Sequence, residues 1–240
     1  VYGFELGYGY TSEKLRANIN FYRTEWKDRF KRVSFRDGSL RGFADVQGLK
    51  QLHTGIELDF TYDLTDNFRI VGMTSVGDWE YAGSPSGTAL SDQDNQPIGT
   101  VKLYLDGVKV GNSAQTTSRL GFDWDITNNF KVDFSRRFAS NLYADLNAED
   151  FDSEDNNGSL ELPNYFLDDL GMSYKFDFKD SSSLNFRLNI NNLGNNVYIA
   201  ESLTNNFVES GDSSYKGINT NNKAFFGFGR TWNLTARYRF

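Results

Sequence analysis

The last twelve residues, Gly229 to Phe240, restrict the fold more than any other stretch. From Trp232 onward the apolar side chains fall on every second position: Trp232, Leu234, Ala236, Tyr238 and Phe240. Thr231, Asn233, Thr235, Arg237 and Arg239 fill the alternate positions. A period of two marks a β-strand, because successive side chains point to opposite faces. One face is wholly apolar with aromatics at both ends, and the other is wholly polar. A soluble sandwich buries such an apolar face under a second sheet. A transmembrane barrel turns it to lipid and keeps the polar face for the lumen.

The same pattern recurs in four hairpins. Phe4 to Tyr10 alternates, Thr11-Ser12-Glu13 turns, and Leu15, Ala17, Ile19 and Phe21 alternate back. Ile56, Leu58, Phe60 and Tyr62 lead to a turn at Leu64-Thr65-Asp66-Asn67, after which Phe68 and Ile70 resume. Leu120, Phe122, Trp124 and Ile126 lead to Thr127-Asn128-Asn129, then Phe130, Val132 and Phe134. Leu170 to Phe178 leads to Lys179-Asp180-Ser181-Ser182, then Leu184, Phe186, Leu188 and Ile190. Asn, Asp and Ser favour such turns because their side chains close local backbone hydrogen bonds. With the final strand this makes about nine strands. The connections between hairpins, residues 27–50, 82–115, 146–163 and 198–223, are long and polar, and Pro85, Pro97 and Pro163 lie in or beside them. Tight turns therefore alternate with long loops. In an up-and-down sheet every short turn then falls at one end and every long loop at the other, as in outer-membrane barrels.

Composition removes several alternatives. Aromatics make up 16% of the chain although hydrophobic residues are only 38%, which excludes a disordered polymer. The net charge of −7 argues against a nucleic-acid partner. The absence of cysteine rules out disulfides and thiolate chemistry. The chain starts at Val1 and reads as a mature or partial chain. The fold class expected is all-β, an antiparallel up-and-down transmembrane barrel.

Several short stretches resemble the C-terminal part of a TonB-dependent outer-membrane receptor. Asn191-Asn192-Leu193-Gly194-Asn195-Asn196-Val197-Tyr198 is similar to the Asn-Leu-x-(Asp/Asn)-x-x-Tyr signature of the penultimate barrel strand, and Gly227 to Trp232 to the Gly-Arg-x-(aromatic) approach to the last strand. Leu162-Pro163-Asn164-Tyr165 with Asp168-Asp169-Leu170-Gly171 resembles the start of an earlier strand. Ala236 to Phe240 resembles the terminal signal read by the barrel-assembly machinery, with Trp232, Tyr238 and Phe240 as its aromatics. The resemblance implies a barrel of about 22 strands around a plugged lumen. Residues 1–240 would then supply its C-terminal strands, with the plug and N-terminal strands outside the chain. It also implies active uptake of a scarce ligand of siderophore, vitamin or oligosaccharide type, energised by the TonB complex acting on the plug. Outer-membrane lipid and lipopolysaccharide would be further partners, and a surface lipoprotein a possible one. A passive porin, a structural or docking subunit of an outer-membrane complex, and a soluble carbohydrate-binding β domain are the rival readings.

No catalytic set is visible, and no enzyme activity or cofactor is expected. His53 is the only histidine and reads as structural or solvated. Asp150, Asp152, Glu154 and Glu161 occupy oxygen-ligand positions of a calcium-loop pattern, but Asp155 stands where that loop needs glycine; an acidic solvated loop is the plainer reading. The run Lys27, Arg29, Lys31, Arg32, Arg36 and Arg41 suggests contact with lipopolysaccharide or an anionic ligand. Trp26, Trp79 and Tyr143 lie at the upper ends of upward strands and, by parity, on the polar side, which makes them candidates to line a ligand vestibule. Deleting Phe240 is expected to lower the amount of folded barrel in the outer membrane without changing synthesis. Unchanged heat-modifiable migration of the deleted chain would refute the assembly role.

Overall fold

Backbone pairing follows the alternation along the whole chain. The computed structural model describes residues 1–37, 40–179 and 181–240. The first four strands are β1 (Tyr2–Thr11), β2 (Leu15–Asp37), β3 (Leu40–Thr65) and β4 (Phe68–Ala82). A short hairpin, β5 (Ser86–Ser91) and β6 (Pro97–Lys102), precedes β7 (Thr116–Asp125), β8 (Phe130–Ser140) and β9 (Leu142–Tyr143). A 3₁₀ turn at Ala148–Asp150 leads to β10 (Glu161–Leu162), β11 (Tyr165–Asp177) and β12 (Ser183–Asn191). The chain ends with the short β13 (Ile199–Ser202), β14 (Ser214–Tyr215), β15 (Ile218–Asn219) and β16 (Ala224–Phe226), then β17 (Thr231–Arg239).

Nine of these form one antiparallel meander in the order β1-β2-β3-β4-β7-β8-β11-β12-β17, with β5 and β6 attached to β3. Neighbours in the meander are neighbours in sequence order, so each connection is either a tight turn or an excursion at the opposite end. The tight turns join β1 to β2, β3 to β4, β7 to β8 and β11 to β12, as the residue pattern requires; Asp180 of the last turn lies outside the described residues. Ser12 closes the first turn, its backbone N–H donating to the Leu15 carbonyl at 2.8 Å. β1, β7, β8, β12 and β17 are 10, 10, 11, 9 and 9 residues long. That is about the length a tilted strand needs to cross a bilayer.

Register keeps the apolar residues on one face across the whole meander. Leu6 lies opposite Phe21, Phe21 opposite Ile56, and Ile56 opposite Val76. Ile70 lies opposite Phe122, Phe122 opposite Phe134, Phe134 opposite Leu170, Leu170 opposite Ile190 and Ile190 opposite Trp232. The face they share is open: Phe4 is 66%, Leu120 59% and Leu234 59% exposed. An apolar surface this large and continuous demands a non-aqueous environment. Toward the tight turns it becomes an aromatic band. Phe68 stacks on Phe122 at 5.4 Å, Phe122 on Phe134 at 5.9 Å, and Tyr174 meets Phe176 at 4.5 Å. The opposite face carries ion pairs between strands, such as Arg69 with Asp63, Lys131 with Asp125 and Arg187 with Asp133.

The long connections depart from the sequence expectation. Residues 27–50 are for the most part not a loop but the continuation of β2 and β3, 23 and 26 residues long. At about 3.3 Å per residue β2 reaches roughly 75 Å, far beyond a membrane. Its charged residues mask an alternation that places Val33 opposite Ala44 and Lys31 opposite Val46. Val33, Ala44 and Val46 are buried with Ala89, Val101, Leu103, Leu105 and Phe151 in a core above the wall. A second core joins Leu142, Ala144, Leu160, Leu162, Ile199 and Ile218. The long connections thus fold into a layer over one end of the sheet. Phe151 is completely buried there, and its carbonyl accepts from the Tyr104 N–H at 2.8 Å. Phe151→Ala should cost this layer roughly 3–5 kcal/mol of local stability. Limited proteolysis should then cleave near residues 100–155 while the heat-modifiable barrel persists; unchanged cleavage would show that the layer is not held by this core.

Candidate functional site

The polar face of β2, β3 and β4 carries an aromatic cluster where the wall meets the loop layer. Thr24 lies opposite His53 and His53 opposite Trp79; Trp26 lies opposite Gln51 and Gln51 opposite Tyr81. His53 stacks on Trp79 with ring centroids 5.0 Å apart and planes 12° from parallel, and Trp26 stands 6.4 Å from His53. The Trp79 indole N–H donates to the Tyr22 hydroxyl at 2.8 Å. Glycines make this packing possible. A Cβ at Gly55 would run into the Tyr22 ring, and one at Gly77 into the Trp79 indole. Gln115, buried and directly preceding β7, holds the Trp79 backbone from both sides. It accepts from the Trp79 N–H and donates to the Trp79 carbonyl, each at 2.8 Å.

Cationic groups border the cluster. Arg29 lies 5.6 Å from the Trp26 ring and donates to Gln51 Oε1 at 2.6 Å. A cleft of about 400 Å³ opens beside it, lined in part by Arg29, Gln51, His53, Trp79, Tyr81 and Asp145. These residues lie beyond Ile56 and Val76, toward the loop layer. Burial, assisted by the Arg29 charge, lowers the His53 pKa from its ordinary value, so the ring is neutral at pH 7. Burial also pushes the Tyr81 phenol up. Trp26 Nε1 and His53 Nε2 are buried without a hydrogen-bond partner among the described residues. Buried polar atoms are rarely left so, and each such case calls for a reason.

Of the three aromatics singled out in the sequence, Trp26 and Trp79 thus come together around His53. Tyr143 does not join them: it sits in β9, paired with Glu161 of β10, after a left-handed turn at Asn141 with φ 51°. His53, read from the sequence as structural or solvated, is the centre of the cluster. Tyr22 shares the parity of Trp26 and could have been found by it, and Arg29 belongs to the basic run noted in the sequence; Gln51 and Gln115 left no sequence signal. Half of the basic run is ion-paired. Lys27 pairs with Glu25, Lys31 with Asp145 and Arg32 with Asp45. The Arg36 side chain lies outside the described residues. The acidic residues of the calcium pattern are not brought together. Asp150 Oδ2 accepts from Asn205 Nδ2 at 3.2 Å, Asp152 and Glu154 are exposed, and Glu161 belongs to β10. Among the described residues no three carboxylate, histidine or cysteine groups are placed to hold a metal ion. Trp232 and Tyr238 face outward on β17 and Phe240 directly follows it; they are 69%, 55% and 104% exposed.

A meander with an apolar outer face, a charged inner face and a folded layer at one end matches a known protein family. The profile described as TonB dependent receptor-like, beta-barrel covers residues 1–193. The chain belongs to this family. Membership places it in the outer membrane of Gram-negative bacteria. Solved barrels share the fold. The siderophore receptor PiuA from Acinetobacter baumannii aligns with a TM-score of 0.61 at 16% identity, over 98% of this chain and 27% of its own. The ferric citrate transporter FecA gives 0.60 at 20% identity, over 99% and 31%. The ferric-catecholate import receptor Fiu from E. coli K12 gives 0.56 at 17%, over 98% and 27%. The chain spans less than a third of the length of each of these three receptors. No curated protein matches it in sequence.

The neutral His53 gives the cluster a pH dependence of defined sign. A histidine whose pKa is lower in the folded than in the unfolded chain binds fewer protons when folded, so stability rises with pH. Packing around Trp26 and Trp79 is therefore complete above about pH 6.5 and weakens as pH falls below it. Tryptophan emission should shift reversibly between pH 7.5 and 5, and His53→Phe should abolish the shift. A shift that persists in the variant would assign it to another group.

Proposed function

We propose that this chain forms the C-terminal wall of an importer that takes up a scarce ligand of siderophore, vitamin or oligosaccharide type, with TonB supplying the energy. The ligand meets the wall at the Trp26–His53–Trp79 cluster. The observation that carries the reading is this group of stacked rings and unpartnered polar atoms on the inner face, directly beneath the folded layer. Rigid aromatics give large contact area at small entropic cost. Arg29, without a carboxylate partner among the described residues, adds a cation where an anionic ligand would pass. The neighbours named above import ferric citrate or ferric catecholates or receive siderophores, and transport of this kind suits the inner-face chemistry. The family's plug and the TonB complex would be the remaining partners.

The test uses the full receptor in cells, with labelled ferric citrate, ferric catecholates, cobalamin and a maltooligosaccharide as probes. One of these should be taken up, and dissipating the protonmotive force should stop uptake while leaving surface binding intact. Trp26→Ala with Trp79→Ala should weaken binding of that probe about tenfold or more at normal barrel abundance, whereas Tyr143→Ala should have little effect. Uptake that survives dissipation would indicate a passive porin. Unaltered affinity in the double variant would remove the cluster from the ligand path.

A further inference from the structure

The outward face of β8 breaks its apolar alternation once. Phe130, Val132, Phe134 and Phe138 are interrupted by Arg136, which lies opposite Leu120 on β7 and Asp168 on β11. An arginine on a lipid-facing wall is costly at mid-bilayer and far less so near the interface, so its presence needs a counterpart. Asp168 supplies part of it. Arg136 Nε donates to Asp168 Oδ1 at 2.7 Å and Nη2 to Oδ2 at 2.9 Å, and the guanidinium lies 4.6 Å from the Phe166 ring centroid. This leaves Nη1, with two N–H groups, without a partner among the described residues. The arginine side chain is 57% exposed and the aspartate 14%, so the pair presents its cation outward.

Beside Arg136 the same face is hollowed into a groove of about 680 Å³, walled by Phe68, Ile70, Leu120, Phe122, Phe134 and Phe138. Its other side-chain polar group, the Ser118 hydroxyl, is already hydrogen-bonded to Thr74. Elsewhere along the loop-side border, Arg23 follows Phe21 and Arg230 precedes Trp232 in outward parity. Neither has a side-chain partner among the described residues. At the turn side the outward strand residues, from Tyr10 and Leu15 through Phe176, Leu184 and Tyr238, include no basic residue. The outward cations thus lie toward the leaflet under the folded layer.

We propose that the groove and Arg136 form a site for one phosphate-bearing lipid of that leaflet. An acyl chain lies along the aromatic groove, and phosphate oxygens accept from the free Nη1 N–H groups. An amphiphile fits because the site is itself amphiphilic: an apolar channel with one directed cation at its edge. A bidentate carboxylate fixes the guanidinium plane, so the free edge is held in place rather than left to swing.

Native mass spectrometry of the full receptor in detergent tests the proposal. Phosphatidylglycerol and diacylglycerol with identical acyl chains are the probes. The wild-type protein should retain phosphatidylglycerol at least about fivefold better than diacylglycerol. Arg136→Leu with Asp168→Leu removes both charges without stranding a carboxylate and should collapse that preference. Inorganic phosphate should not displace the lipid. Equal retention of the two lipids by the wild-type protein overturns the proposal even if the double variant fails to fold. So does an undiminished preference in the folded variant, and displacement by free phosphate would identify an anion site rather than a lipid site.

Discussion

The structure depends on one constraint: within a bilayer every backbone N–H and C=O must find a partner inside the protein. The nine-strand meander meets it between neighbours, with ladders that run without interruption through the spanning part of each strand pair, while its edge strands β1 and β17 are paired on one side only. The register irregularity between Trp26 and Arg29 falls beyond the outward apolar residues, and the one between Asp63 and Thr65 falls at the tight turn. A one-residue slip within the span would carry a whole strand's apolar set to the inner face and its charges to lipid. The ladder therefore fixes at once which side chains meet lipid and which meet the lumen.

What the inner face can do follows from that placement. Cross-strand neighbours on one face stand close enough for rings to stack, so a His on β3 between aromatics of β2 and β4 becomes a cluster without any loop being ordered around it. Gly55 and Gly77 give the rings room to lie flat, and Gln115 extends the ladder past the end of β7. Above the span, where water is available, the same strands exchange lipid contact for two small buried cores. Rings of the cluster thus sit between a rigid wall and a folded layer, a good position for holding a ligand in fixed geometry.

Much of this was legible in the sequence because period-two alternation is a local signal. The turns at Ser12, Asp66–Asn67 and Thr127–Asn129, the nine-strand meander and the outward aromatics all follow from it. The parity of Trp26 and Trp79 also follows, and with it their placement on the inner face. The folded layer was not legible. In β2 and β3 beyond Trp26, charged residues interrupt the apolar positions, and the burial of Val33, Ala44 and Val46 depends on residues more than fifty positions away, such as Val101 and Phe151. Tyr143 was misplaced relative to the tryptophans because Asn141 turns the chain just before it. The basic run looked like an anion surface because its partners Asp45 and Asp145 are brought in by pairing and packing. Nothing local in the sequence singles out Arg136 with Asp168, because only register sets them side by side on the outer face.

The central claim is the division of the wall into a lipid face and a lumen face. The chain has no cysteine, so single cysteines can be placed at successive positions from Ile56 to Tyr62 on β3 and spin-labelled in the full receptor reconstituted in bilayers. Collision rates with oxygen, which concentrates in lipid, should peak at positions 56, 58, 60 and 62. Rates with a water-soluble nickel chelate should not rise at those positions. A profile without a period of two, or one with oxygen maxima at 57, 59 and 61, would contradict the account.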